Sequence, residues 1–362
     1  MKQNYRLLVD HLDDQANVSQ YRTLLQEKWD NNVYYAIEHL RYFANDSDKL
    51  NYFLLEKDGT PCVLMPFVSR EIEVNGVKSK YRDVISPYGY NGPLFNSDVS
   101  EEDLSEFWSQ VDAWYLENNI VSEFIRFSLT ANHMAYSGNL IQTLSNVRGN
   151  LLGDFEAQWT AFLPKVRNNY RKAVNYDLSF KIFDKQEITK DVIKIFNDIY
   201  VETMSRNNAA SIYFFSSSYF DDLVLSNIDN FSIAVAYFED VPISVELIIN
   251  YKDTVFAFLG GTNAEYFSYR PNDFLRVKVI DWAIANHKKH YVLGGGMKDG
   301  DGLYKNKKSL FPKDEDVIFY TGRKVVNQEV YDDLSKSANQ EYTTFSEEEL
   351  NNCFFPFYRW KP

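Results

Sequence analysis

Between Phe231 and Phe311 the chain alternates in a way that leaves few folds open. Two apolar runs, FSIAVAYF and ISVELIIN, flank the turn Glu239-Asp240-Val241-Pro242, which predicts two strands joined by a tight reversal. A second turn at Lys252-Asp253 leads to a third apolar run, TVFAFLGGTN. A loop carrying Arg270-Pro271 then opens a long helical stretch, NDFLRVKVIDWAIANH. HYVLGGG reads as a short strand that ends at Gly294-Gly295-Gly296, and the basic turn GLYKNKKSLF follows. Meander, helix, strand, glycine break and basic turn together predict an α+β unit built on a mixed sheet.

The first half repeats this order. Tyr52–Glu56 and Cys62–Arg70 are apolar strands around Lys57-Asp58-Gly59-Thr60, a hairpin signal. The loop Ser86–Phe95 stands where LGGTNAEYFSYRP stands later. Glu101–Asn118 has Leu104, Phe107, Trp108, Val111, Trp114 and Tyr115 on one helical face, matching Asn272–His287. Ser122–Leu129 then matches HYVLGGG. The spacing differs between halves, so the echo is structural and not a sequence repeat. It predicts two tandem units, residues 1–150 and 151–326. Helices between the halves are expected at Trp159–Asn175, Glu187–Arg206 and Ser216–Asn227. A tail, 327–362, adds short helices and an aromatic cluster, Phe354 to Trp360, that docks on the body of the fold.

Length and composition fit this plan. A chain of 362 residues is long for one domain, and 45% apolar content supplies two cores. No apolar run approaches the length of a membrane-spanning helix, and the N-terminus lacks a signal-peptide core, so a cytoplasmic protein is expected. Cys62 and Cys353 are far apart and make no metal or disulfide pattern. The five histidines share no ligand spacing, so no metal site is expected. With 38 basic against 51 acidic residues the net charge is −13, which counts against promiscuous nucleic-acid binding through the overall field. It leaves room for a local basic patch that holds a phosphate or a tRNA end.

The arrangement resembles an N-acyltransferase of the GNAT superfamily, and its details are similar to the FemAB branch and the BioF2-like acyltransferases. The pattern P-x-x-x-L…W-A…GG…G-x-Y-x-F-K reads here as Pro271, Leu275, Trp282-Ala283, Gly294-Gly295, then Gly302-Leu303-Tyr304-Lys305-Asn306-Lys307. The phenylalanine before the last lysine is replaced by Asn306. The resemblance implies two tandem GNAT-like domains packed against each other. It also implies transfer of an acyl or aminoacyl group to an amino group on a nucleotide- or lipid-linked sugar, in cell-surface glycan or cell-wall assembly.

Such chemistry needs a proton acceptor for the attacking amine, backbone N–H groups for the carbonyl oxygen and a donor to the leaving group. Glu246 lies mid-strand and shares a sheet face with Ser244, Ile248 and Asn250, opposite Val245, Leu247 and Ile249. It is a candidate base if that face borders a cleft, and an ordinary carboxylate if the face is wet. The resemblance assigns Tyr304 as the donor to the leaving group and Lys307 as a stabiliser of anionic charge; a solvated basic turn is the other reading.

Further candidates bind substrate. Arg167 and Arg171, four apart on one helix face, fit the motif R-x-N-x-R-K-A, which in Fem-like ligases leads into residues holding an acceptor diphosphate. Tyr88 and Tyr90 lie in Ser86-Pro87-Tyr88-Gly89-Tyr90-Asn91-Gly92-Pro93, similar to the S-P-x-G-x-x-G-P loop of those families, where rings offer stacking surfaces for sugars. Asn263 and Arg270 flank the loop into the long helix. That helix start lacks the glycines with which acetyl-CoA-dependent members cradle a pyrophosphate, and Pro271 removes an N–H. Acyl-CoA and aminoacyl-tRNA therefore both remain open as donor. A non-catalytic GNAT-like protein that binds a glycan or protein partner is the alternative.

Overall fold

The structure is a computed structural model that describes residues 3–45, 47–346, 348–349 and 353–360. It divides into two units, residues 1–143 with 319–362, and residues 144–318.

The first unit runs β1 (Tyr5–His11), α1 (Gln15–Trp29), α2 (Ile37–Tyr42), β2 (Lys49–Lys57), β3 (Thr60–Val74), β4 (Val77–Ile85), the two-residue β5 (Leu94–Phe95), α3 (Glu101–Glu117) and β6 (Ile120–Arg126). Alternating apolar residues and tight turns explain the meander. Asp58 and Gly59 both adopt positive φ, 51° and 78°, the twist that a two-residue hairpin requires. Ser100 and Asp103 form a reciprocal capping box at the start of α3. Behind that cap, Leu104, Phe107, Trp108, Val111 and Tyr115 are buried against Phe53, Val63, Phe67 and Val84 of the sheet. Each such burial stabilises by about 1.5–3 kcal/mol. Strand β4 lies parallel to β6; the other pairs are antiparallel.

The chain leaves this unit within β7 (Asn139–Asn150). The second unit continues with α4 (Phe155–Ala161), α5 (Pro164–Val174), β8 (Ser179–Asp184), α6 (Lys190–Arg206), α7 (Ser217–Ser226), β9 (Phe231–Phe238), β10 (Val241–Tyr251), β11 (Thr254–Thr262), α8 (Pro271–Ala285), β12 (His290–Gly294) and α9 (Gly302–Lys308). Its strands follow the order β8-β9-β10-β11-β12-β7, again with one parallel pair, β11 with β12. Within β13 (Val317–Val325) the chain re-enters the first unit, which closes with α10 (Gln328–Ala338).

The duplication is deeper than the sequence echo. The series β1, α1, α2, β2, β3, β4, α3, β6 recurs as β8, α6, α7, β9, β10, β11, α8, β12. Helices expected to lie between the halves, α6 and α7, are thus integral to the second unit. The expected divisions at 150 and 326 fall elsewhere for a related reason. Strand β13 pairs antiparallel with β6 from Thr321↔Arg126 to Val325↔Ser122, so it belongs to the first unit. Strand β7 pairs with β12, from His290↔Asn150 to Gly294↔Val147, and belongs from Leu144 onward to the second. The tail docks on the first unit, where Phe355 and Tyr358 are buried with Ile72, Val121 and Tyr331.

Candidate functional site

The two units differ where their parallel strands meet. In the first, β4 and β6 pair from Arg82↔Ile120 to Ile85↔Phe124, with a register shift between Arg82 and Val84. Ser86 N–H then donates to the Phe124 carbonyl (2.9 Å), and Asn91 N–H to that of Arg126 (3.1 Å). In the second, the β11–β12 register covers only Thr254 to Phe256. Strand β11 runs on to Thr262, while β12 ends at Gly294, whose φ of 75° turns the backbone aside. The result is a fork between β11 and the glycine run, the place where backbone N–H groups could meet a carbonyl oxygen.

Charged side chains gather beside this fork. Glu246 on β10 is buried, 4% exposed, under α8; its sheet face is packed and not wet. The Tyr291 hydroxyl of β12 donates to Glu246 Oε1. Arg276 of α8 brings Nε to 3.9 Å from Glu246 Oε2, an ion pair too long for a hydrogen bond, and that Nε has no hydrogen-bond acceptor among the described residues. Arg276 Nη1 donates to Asn306 Oδ1 on α9 (3.0 Å). The next residue, Lys307, donates from Nζ to the Gly295 carbonyl (2.6 Å).

Burial sets the acidities here. It pushes the Glu246 carboxyl up, opposed by Arg276, by the Tyr291 hydrogen bond and by Lys307. Burial also lowers Lys307, with Arg276 adding to the effect, to about 7. Tyr291 is pushed up, chiefly by burial and then by Glu246. A lysine near 7 is poised to accept or donate a proton at neutral pH.

The glycine run is packed as well as bent. A Cβ on Gly296 would fall 2.1 Å from Asp301 Oδ1. Asp301 needs that space because its carboxylate accepts from the backbone N–H groups of Met297 (2.7 Å), Lys298 (3.1 Å) and Tyr304 (2.8 Å), fixing the start of α9.

The other candidates from sequence are placed differently. Tyr304 is turned to Asp316, to whose carboxylate it donates; that bond is the first cause pushing its hydroxyl up to about 12. Lys308 holds the other oxygen of Asp316 at 2.8 Å, so Tyr304 belongs to a second polar group and not to the Glu246 set. Arg167 directs Nη1 to the carbonyls of Trp159, Thr160 (3.1 Å) and Phe162 and thereby closes the C-terminal end of α4. Its geometry is that of a helix cap, in contrast to the expected phosphate contact. Arg171 lies over the Trp159 ring (5.4 Å) and donates to Asn168 Oδ1 (3.3 Å). The Asn263 side chain caps the short turn Ala264–Tyr269 through Glu265 N–H (3.0 Å), and Arg270 adopts a left-handed φ of 61° before Pro271.

In the first unit, Tyr90 packs edge-on against Tyr34 (5.3 Å) and Phe319 (5.7 Å), and the Tyr88 carbonyl accepts from His39 Nε2 (2.8 Å). Burial lowers His39 to about 4 and keeps it neutral. Gly89, at φ 93°, lies so close that a Cβ would meet the Tyr34 ring at 2.9 Å. The loop is thus held by packing, with its tyrosines half-buried.

Arg276 and Tyr291 were not among the sequence candidates. The signal for Arg276 was present: it shares a helix face with Val279, Ile280 and Ala283, all fully buried. A cation in such a stripe needs a buried partner.

Residues 162–306 match the family model for the acetyltransferase (GNAT) domain. This span is similar to the GNAT acetyltransferase domain. It contains the fork, Glu246, Arg276, Tyr291 and Asn306, and ends one residue before Lys307. Among solved structures, FemX is similar over 90% of this chain and 98% of its own, with a TM-score of 0.62 at 11% identity. The C-terminal domain of a putative lysylphosphatidylglycerol synthetase from Agrobacterium fabrum gives 0.56 at 11% identity, covering 86% of this chain and 92% of that one. L-PGS from Bacillus licheniformis gives 0.55 at 14% identity, covering 87% and 92%. No curated protein matches the chain in sequence. No helix among the described residues is long and apolar enough to cross a membrane.

Proposed function

We propose that the second unit transfers an aminoacyl group from an ester donor to an amino group on a nucleotide- or lipid-linked sugar of the cell envelope. The single observation that carries this reading is the set of buried Glu246 with partly buried Arg276 and Lys307 beside the β11–β12 fork. In this reading the set takes a proton at neutral pH, and N–H groups of the fork meet the carbonyl oxygen. The reading is supported by the similarity in fold to FemX, to a putative lysylphosphatidylglycerol synthetase domain and to L-PGS.

The entry to α8 favours an aminoacyl ester over acyl-CoA. Pro271 at the first helical position lacks an N–H. Asp273 in the first turn places a carboxylate where a pyrophosphate would lie; it is pushed up by burial and accepts from Asn169 (3.1 Å). The residues present do not form a pyrophosphate cradle. Acyl-CoA keeps a place as second donor because the family model for 162–306 is that of an acetyltransferase domain.

Purified protein offered charged tRNAs or acyl-CoAs, each with amino-sugar nucleotides and amino-sugar lipids, tests both. Transfer from charged tRNA that is lost in Lys307→Ala and Glu246→Gln supports the proposal. Transfer from acyl-CoA alone replaces the donor class. Ligand binding without turnover under every pairing supports the binding-protein alternative.

A further inference from the structure

The geometry points to Arg276 and Asn306 as a positioning pair that sets the charge environment of Lys307. This inference rests on the reading of the second unit as a transferase. Asn306 stands where the resembling families carry phenylalanine, and its side chain has a task that phenylalanine lacks: Oδ1 accepts from Arg276 Nη1 at 3.0 Å. That bond fixes a guanidinium whose side chain is 11% exposed and whose Nε points toward Glu246.

The charges that face Lys307 come from every side. Arg276 reaches it from α8, Glu246 from β10 and Asp301 from the head of its own helix, while Tyr291 of β12 acts through Glu246. Its one hydrogen-bond partner among the described residues is the neutral Gly295 carbonyl. Two cations thus share one buried carboxylate. Arginine does not release its proton in a protein, so lysine is the group that yields.

A neutral Lys307 completes the transfer with protons in balance. The acceptor ammonium gives its first proton to Nζ, and its nitrogen lone pair attacks the donor carbonyl carbon to form the C–N bond. When the tetrahedral adduct collapses, the C–O bond to the leaving group breaks, and that oxygen takes the second proton from nitrogen. Lys307 then returns its proton to solvent. Arg276 touches neither substrate in this scheme and acts only through Lys307 and Glu246.

The test is a lysine titration on the full chain, labelled with 13C and 15N lysine, following the Cε resonance absent from Lys307→Gln. The midpoint in the wild type is expected near 7. Arg276→Gln should raise it by about one unit, because a like charge is removed. Asn306→Ala should raise it less, and Arg276→Lys should restore part of the effect. A purely structural role would change stability and leave the midpoint in place. A wild-type midpoint in the ordinary lysine range, or one unmoved by Arg276→Gln in a folded protein, overturns the inference. Should Arg276→Gln not fold, an unmoved midpoint in Asn306→Ala overturns it instead. If the midpoints move as expected and no donor supports transfer, the pair stands and the transferase reading falls.

Discussion

Arg359, in the last described turn of the chain, donates its Nε–H to Asp83 of β4 at 2.5 Å. Asp83 is fully buried, and Arg70 holds its other oxygen at 2.7 Å. Tyr358 adds its hydroxyl at 3.1 Å and also contacts Ser122 of β6. The aromatic tail is therefore fastened to the first unit by charge as well as by apolar burial.

Removing either end of that link should cost unequally. Asp83→Ala leaves two arginines facing an empty carboxylate site and should lower stability by about 3–5 kcal/mol, as for a buried pair that loses one partner. Arg359→Ala leaves Arg70 in place and should cost less. Denaturant midpoints of the two variants check the order, and equal losses would refute it.

The pH dependence of folding reports on Lys307. An unfolded lysine titrates near 10.5 and the folded one near 7, so between these values the unfolded chain binds a proton that the folded chain lacks. Stability contributed by this group therefore rises with pH through that window, and its cost is fully present below 7. Relative to Lys307→Met, the wild type should gain stability from pH 7 to 10. Parallel stability profiles across that range would exclude a depressed lysine.

Gly296 and Gly149 offer steric tests. Gly296→Ala should displace Asp301, release the backbone N–H groups of Met297 and Lys298, and reduce transfer through Lys307 more than it reduces stability. Gly149→Ala would put a methyl about 2.2 Å from the Phe311 ring and should cost about 1–3 kcal/mol by overpacking. Amide exchange at 297–301 separates the two, since only the first should open that loop.

Much of this was legible in the sequence. The meanders, α3 and α8 follow from apolar periodicity, and the left-handed hairpin residues Asp58, Glu239 and Asp240 occupy the expected turns. The edge strands β1 and β8 were missed because they are short and only half-buried, with weak alternation. The exchange of β7 and β13 could not be read, since a strand's sequence does not name its partner. For the site, Glu246 and Lys307 come together as side chains, but Tyr304 turns to Asp316, a contact that depends on how α9 docks. Arg276 could have been found from its buried stripe.

The two arginines of α5 should separate in a single experiment. Arg167 serves the carbonyls at the end of α4, so Arg167→Ala should cost about 1–3 kcal/mol and leave the acceptor's KM unchanged in the folded fraction. Arg171 is exposed, held among the described residues by Trp159 and Asn168, and is the better candidate for an acceptor phosphate. Arg171→Ala should raise the acceptor's KM several-fold with little change in stability, because a contact common to ground and transition states is lost. Lysine should rescue it poorly, since it lacks the planar fork. Steady-state kinetics beside thermal melts decides the matter: a KM effect for Arg167 with none for Arg171 would reverse the assignment.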